Sequence, residues 1–178
     1  MSNIIILQGS PRLNGNTATL VKAFMEDLAE KHNVTVIQVP ELKINYCIGC
    51  NSCFTREGNR CFQQDDMQKI MPVLADADIL VFASPVYFYG ISAQLKTLLD
   101  RLHTPLRNTF KVKKTALLLV GAASLPELFD SILIQYRLLL NFFHLEDAGT
   151  VLVRGVKNIG DISGRIELQE AKELGRRI

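Results

Sequence analysis

Three stretches of this chain are apolar almost without a break: Ile4-Ile5-Ile6-Leu7, Asp78-Ile79-Leu80-Val81-Phe82-Ala83 and Thr115-Ala116-Leu117-Leu118-Leu119-Val120. A strand with one wet face alternates apolar and polar residues, whereas a strand covered on both faces need not. These three therefore predict strands buried on both sides, the condition met by a parallel sheet between two layers of helices. Val34–Val39, β-branched and stopped by Pro40, and Thr150–Val153 bring the strands to five. Helical patterns fall between them, over Thr19–Lys31, Asp66–Leu74, Ile91 or Ser92–Arg101, Glu127–Phe143 and Ile166–Arg176. Strictly alternating strands and helices predict a single α/β domain over residues 1–178, doubly wound, with strand order 2-1-3-4-5. Right-handed crossovers are expected to set the helices alternately on the two faces. Residues 43–65, irregular and cysteine-bearing, stand outside this alternation and read as an insertion.

In such a sheet a ligand sits where the chain reverses direction, outside the carboxyl ends of strands 1 and 3. The residues arriving there from strand 1 are Gly9-Ser10-Pro11-Arg12-Leu13-Asn14-Gly15-Asn16-Thr17-Ala18. A small-residue loop between a buried strand and a helix start places unpaired N–H groups and the positive end of a helix dipole at one point. Ser10, Asn16 and Thr17 add side-chain donors and Arg12 adds charge, which is the chemistry of a phosphate cradle. The loop has neither the Gly-Lys-Ser/Thr of a nucleoside triphosphate loop nor the Gly-x-Gly-x-x-Gly of a dinucleotide site. It suits a terminal monophosphate such as that of a mononucleotide. The alternative is an ordinary strand-to-helix turn capped by Asn16 or Thr17.

Strand 3 delivers Ser84-Pro85-Val86-Tyr87-Phe88-Tyr89-Gly90 to the same crevice. Pro85 stiffens the exit from the strand. The aromatic cluster offers a wall for a planar heterocycle, with backbone groups for its edges. The competing reading is that these rings pack between helices.

All four cysteines lie in one short run, Cys47-x2-Cys50-x2-Cys53-x7-Cys61. In a reducing compartment such a cluster points to a metal, an iron–sulfur centre or redox chemistry rather than to disulfides. Three cysteines three apart can wrap a [4Fe–4S] cube, with the fourth ligand supplied from further along. A structural zinc site more often shows two separated Cys-x-x-Cys pairs. A cluster, redox-active or free thiols, and zinc all remain open. His32, His103 and His144 are too widely spaced to add a ligand pattern. Lys96 and Arg101 read as surface charges on their helix, and Asp65-Asp66 as helix-start chemistry with Asp65 as N-cap.

Gly9-Ser10-Pro11-Arg12-x-x-Gly15-Asn16-Thr17, Ser84-Pro85-Val86-Tyr87-Phe88 and Ser92-Ala93-Gln94-Leu95-Lys96-x-Leu98-x-Asp100-Arg101 resemble the flavodoxin-like NAD(P)H-dependent FMN reductases. The cysteine run is similar to the compact motif of the iron–sulfur flavoprotein branch, although Cys61 is followed by Phe62 rather than the proline of bacterial ferredoxins. The likeness runs from Ile4 to Arg101; beyond Thr115 it extends to the fold alone. It implies a flavodoxin-like domain in which Ser10, Arg12, Asn16, Thr17 and Ala18, with Asn14, hold the FMN phosphate. It also implies that Pro85, Val86, Tyr87, Phe88 and Gly90 line the isoalloxazine. Cys47, Cys50, Cys53 and Cys61 would be the ligands of a [4Fe–4S] cluster. The loop after strand 4, Gly121-Ala122-Ala123-Ser124, lacks the Gly-Gly common in the family. The activity implied is electron transfer from NAD(P)H through FMN to a small-molecule acceptor: a quinone, another flavin, or an azo or nitro compound.

Two other classes compete: a non-enzymatic flavodoxin-like electron carrier, and a redox- or metal-sensing module built on the cysteines. By resemblance such carriers are strongly acidic, and a net charge of +2 argues against that reading. The same modest charge predicts no nucleic-acid or anionic-membrane partner. The apolar runs are too short to cross a bilayer, and the first residues lack a signal-peptide pattern, so a cytoplasmic location is expected. The nearly all-round apolar stretch Ile132–Phe143 predicts a homodimer or homotetramer.

Overall fold

The computed structural model describes residues 1–178. Its sheet has five strands, β1 (Asn3–Gln8), β2 (Asn33–Gln38), β3 (Ile79–Pro85), β4 (Lys114–Val120) and β5 (Glu146–Val153). They are all parallel, in the expected order β2-β1-β3-β4-β5. The helices are α1 (Asn16–Met25), α2 (Met67–Ala75), α3 (Ala93–Asp100), α4 (Asp130–Phe143) and α5 (Ile166–Arg177). No helix is long and apolar enough to cross a membrane.

The unbroken apolar strands serve two cores at once. Ile5, Leu7, Leu80, Phe82, Leu117 and Leu119 face α2, α3 and α4. Their neighbours Ile4, Ile6, Val81, Leu118 and Val120 face α1 and α5. The helices therefore do not alternate between faces as expected. A right-handed crossover puts its helix on a face set by the direction of travel along the sheet. Only the β1–β2 step runs one way, so α1 lies on one face. The next three steps run the other way, and α2, α3 and α4 share the opposite face; α5 returns to cover α1. That return is close: a Cβ at Gly175 would lie 2.1 Å from the Phe24 carbonyl oxygen.

Element ends differ from the sequence reading in three places. Helix α1 stops at Met25, not Lys31, because residues 26–31 tighten into turns whose bonds include Leu28 N–H to Met25 and Lys31 N–H to Leu28. Leu28 stays buried, so the apolar spacing persists past the helix. Helix α4 starts at Asp130 rather than Glu127. Strand β5 starts four residues early, at Glu146, where its polar residues occupy a sheet edge and its register against β4 shifts between Thr115 and Ala116. The cysteine-bearing stretch holds only two short 3-10 turns, Ser52–Phe54 and Glu57–Asn59.

Candidate functional site

Parallel pairing of β1 with β3 sets Gln8 opposite Ala83, so the two candidate loops leave the sheet side by side. Gly9 N–H continues the ladder to the Ala83 carbonyl at 2.8 Å. A Cβ at Gly9 would lie 2.6 Å from Ser92 Oγ and 2.9 Å from Leu95 Cβ, so only glycine lets the loop pass over the start of α3. The Ser10 hydroxyl accepts from Arg12 N–H at 3.2 Å, and Gly15 N–H closes a turn onto the Arg12 carbonyl at 3.0 Å. Helix α1 then begins with Gly15 at its N-cap, no side-chain cap and no acid in its first turn. Its first N–H to find a carbonyl is that of Thr19, on Gly15, leaving those of Asn16, Thr17 and Ala18 without a partner in the chain. Ser10 and Thr17 are buried, while Arg12, Leu13 and Asn14 are exposed around them. Unpaired N–H groups at an uncapped, acid-free helix start fit a phosphate.

Asn16 is positioned differently from the sequence expectation. Its amide donates to the Asn158 carbonyl at 2.8 Å and accepts from Gly160 N–H at 3.2 Å. Arg12 donates to the Lys157 carbonyl at 3.3 Å. The loop between β1 and α1 is thus braced by residues 157–160, which the sequence reading missed. That brace is itself tied by Asp161, which accepts from the N–H groups of Lys157 at 2.9 Å and Asn158 at 2.7 Å. Its composition signals a turn but carries no sign of a partner more than 140 positions away.

In the second loop, Val86 N–H donates to the Val120 carbonyl at 2.9 Å, and Tyr87 and Gly90 exchange N–H···O bonds, both at 2.9 Å. Between them Phe88 and Tyr89 have φ of 48° and 60°, the left-handed region that side chains larger than glycine seldom adopt. The strained turn holds the Phe88 ring in full exposure, with Tyr87 and Tyr89 half-exposed beside it. The rings do not pack between helices. The Ser131 hydroxyl donates to the Tyr89 carbonyl and ties the turn to the start of α4. Beneath it Ser84 Oγ accepts from Ser92 N–H at 2.9 Å and donates to the Pro85 carbonyl at 2.8 Å, while Ser92 caps α3. The loop after β4 is bound to the chain after β5, through Gly155 N–H to Ala123 at 3.0 Å and Val156 N–H to Gly121 at 3.1 Å.

Cys47, Cys53 and Cys61 line one cavity of about 780 Å³, shared with Arg56, Arg60 and Arg101. Cys50 lies outside it, where hydrogen bonds from Ser52 hold its thiol below the ordinary value. All four thiols are free, and no three His, Cys, Asp or Glu side chains converge closely enough to hold a metal ion. Four thiols on one short loop match the soft donor set of an iron–sulfur centre.

Arg101 is not the surface charge expected from sequence. Its side chain is 2% exposed and pairs with Asp65, 3% exposed, at 2.5 Å. Asp65 also accepts from Met67 N–H at 3.1 Å, but the N-cap of α2 is Asp66, one residue later than the Asp65 expected from sequence.

The sequence model for "NADPH-dependent FMN reductase" matches residues 2–152. The chain belongs to this family. An iron–sulfur flavoprotein of Methanocaldococcus jannaschii is 41% identical over 111 residues, 62% of this chain and 56% of that protein. An iron–sulfur flavoprotein of Archaeoglobus fulgidus is 24% identical over 190 residues, covering 98% of this chain and 92% of its own length. The chain spans about half the length of several curated relatives, 56%, 42% and 53% of three of them. Among solved structures, an NAD(P)H:quinone oxidoreductase from Methanothermobacter marburgensis superposes with a TM-score of 0.77 at 19% identity, over 98% of both chains. An azoreductase from Bacillus anthracis superposes with a TM-score of 0.74 at 19% identity over the full length of both. At these identities the structural likeness speaks for the fold.

Within this FMN reductase family member, the fold brings Ser10, Thr17 and Ala18 to the same end of the sheet as Pro85, Val86 and the hairpin Tyr87–Gly90. Cys47, Cys53 and Cys61 line a cavity with residues of α2 and of the turn after α3.

Proposed function

We propose that this chain is an FMN-dependent NAD(P)H oxidoreductase that passes electrons to a quinone, a flavin or another small acceptor, with Cys47, Cys50, Cys53 and Cys61 holding a [4Fe–4S] cluster. The observation that carries the reading is the uncapped start of α1, with three unpaired N–H groups beside an exposed aromatic hairpin at the sheet's switch point. Bound there, FMN would supply hydride acceptance from the nicotinamide and release of electrons to the acceptor, and a cluster would supply single-electron steps. The chain's own residues bind and orient. The N–H groups of residues 16–18 and the hydroxyls of Ser10 and Thr17 hold the phosphate, and Arg12 offsets its charge. Asn14, exposed on the same loop, adds a further amide donor. Asn16 acts through its backbone N–H, its amide being occupied with residues 158–160. Pro85 and Val86, anchored to β4, fix the floor on which Tyr87, Phe88 and Gly90 meet the flavin ring.

The same reading includes a second copy of the chain, as a homodimer or homotetramer. Ile134, Leu138 and Phe142 are exposed at four-residue spacing along α4, while Ile132, Tyr136 and Leu140 fill the core behind them. The Ser131–Tyr89 bond joins this stripe to the hairpin, so a partner seated on α4 also reaches the flavin. A reducing, cytoplasmic setting is consistent with four free thiols.

Anaerobic purification followed by flavin and iron analysis tests the proposal. The expected protein carries one FMN and about four irons per chain, the content of a [4Fe–4S] site. Cys50→Ser should lose most of the iron and keep the FMN. Wild-type protein without iron that still oxidises NAD(P)H at full rate would remove the cluster and leave the flavin enzyme.

A further inference from the structure

The cysteine loop is long, exposed and irregular, yet its two ends meet at one place. Asn45 N–H donates to the Asp65 carboxylate at 3.0 Å. Arg101 donates to the Asn45 carbonyl at 2.8 Å and to both carboxylate oxygens of Asp65, at 2.5 and 3.3 Å. One position further out, Lys43 and Asp66 are joined twice, by Lys43 N–H to Asp66 Oδ2 at 2.9 Å and by Asp66 N–H to the Lys43 carbonyl at 3.1 Å. One buried guanidinium therefore grips the start and the end of the cysteine loop together. Burial opposes both charges, but the pairing wins: Asp65 is held below the usual carboxylate range and Arg101 above its ordinary value. Between the ends the loop meets the domain at scattered points: Gln68 of α2 donates to the Gln63 carbonyl at 3.3 Å and to Gln64 Oε1 at 3.0 Å, and Cys61 shares the cavity with the Arg101 guanidinium. Thr104 donates to the Asn59 carbonyl at 2.7 Å, the Cys53 thiol to the His103 carbonyl at 3.6 Å, and the Phe54 ring lies tilted against His103, their centroids 5.4 Å apart. Gly49, Asn51, Gly58 and Asn59 all have positive φ, so the interior is a succession of sharp turns.

We infer that Arg101 and Asp65 are positioning residues: a clasp that fixes the base of residues 45–65 so that their thiol-bearing interior can rearrange around a ligand without the loop coming away from the domain. Arg101 follows α3, whose N-cap Ser92 lies under Gly9 and bonds Ser84 in the flavin crevice. Nine residues of helical rise set the clasp about 14 Å along the helix from that cap. Helix α3 is then a rigid spacer between the phosphate loop and the cysteine loop. The clasp is a property of the protein itself. Its consequence for iron rests on the cluster reading given above.

Arg101→Lys keeps the positive charge but loses the fork that reaches Asp65 and Asn45 together. Hydrogen exchange on the FMN-bound, metal-free protein reads the effect. Amides of residues 46–64 should exchange at least about tenfold faster, the consequence of losing roughly one charge-assisted hydrogen bond. Amides of β1, β3 and α3, and FMN content, should stay as in the wild type. Unchanged exchange in 46–64, or an equal rise throughout the sheet, would overturn the clasp and make the pair a general stabiliser. If Arg101→Lys does not fold, Thr104→Val gives the second reading. It should speed exchange around Asn59 and leave Asn45 and Met67 protected, whereas loss of protection at both would show that no independent clasp holds the base. After anaerobic reconstitution with iron and sulfide, Arg101→Lys should hold less iron per FMN than wild type. Wild-type protein that takes up no iron would refute the cluster and leave the clasp to be judged by exchange alone.

Discussion

The loop between β1 and α1 and the cysteine loop are built on opposite plans. Residues 9–18 pass over α3 through Gly9, are braced from outside by residues 157–160, and bury Ser10, Asn16 and Thr17. What they leave unpaired is a set of N–H groups already aimed at one point. Residues 46–64 leave Tyr46, Ile48, Phe54 and Phe62 exposed, turn through four positive-φ positions and are secured mainly at their base. The first plan suits a ligand held without reorganisation of the protein, where the ordering cost is met during folding. The second suits a ligand that supplies its own ordering energy, as metal centres do when thiolates gather around them. On the proposed reading, one loop is a ready cradle for the flavin phosphate and the other a tethered, open loop for a cluster.

Changes in the two loops should separate these plans. The largest effect is expected at Gly9. Gly9→Val drives side-chain atoms into Ser92 and Leu95, and overpacking of this kind costs about 1–3 kcal/mol of stability. FMN binding should be lost with it. A stable Gly9→Val protein with normal FMN affinity, measured by flavin fluorescence and thermal melting, would show that the loop is less fixed than its contacts imply. A middle effect is expected from Ser10→Ala with Thr17→Ala. Removing two hydroxyl donors should weaken FMN binding by about 1–3 kcal/mol in total, short of the loss expected at Gly9. Iron content, set by the other loop, should not change.

The smallest effect should come with acid and fall on the cysteine loop. Burial pushes the Asp65 carboxyl up, but Arg101 and the N–H groups of Asn45 and Met67 outweigh it and hold the carboxyl below its ordinary value of 3.8. A carboxylate depressed in the folded state stabilises fully above its unfolded pKa and stops doing so as pH falls through the lower, folded value. The base of the loop should therefore stay clasped at neutral pH and come away only below about pH 4, the ordinary carboxylate range. Limited digestion with an acid protease should then cut within 46–64 before it cuts the sheet. Simultaneous cutting of both would remove the contrast.

Sequence alone reached the sheet because β1, β3 and β4 are apolar on both sides, a pattern few other strand environments permit. It reached the crevice because topology places the ends of β1 and β3 together. It missed what depends on distant partners. Arg101 reads as a solvated helix charge until Asp65, 36 positions away, is seen to bury it. Asn16 reads as a phosphate donor until residues 158–160 claim its amide. The end of α1 was illegible for a local reason: Leu28 keeps the helical apolar spacing although the backbone has already turned. The edge position of β5 hid its first residues, since Glu146 and Asp147 carry no strand signal.

The most direct test of the central claim, a flavin held on α1 and reduced by a nicotinamide, is an anaerobic absorption titration of the FMN-loaded protein with NADPH and with NADH. The flavin band should bleach in proportion to the added reductant and return when a quinone is supplied. A flavin band that neither reductant bleaches, in protein shown to hold FMN at this loop, would contradict the account.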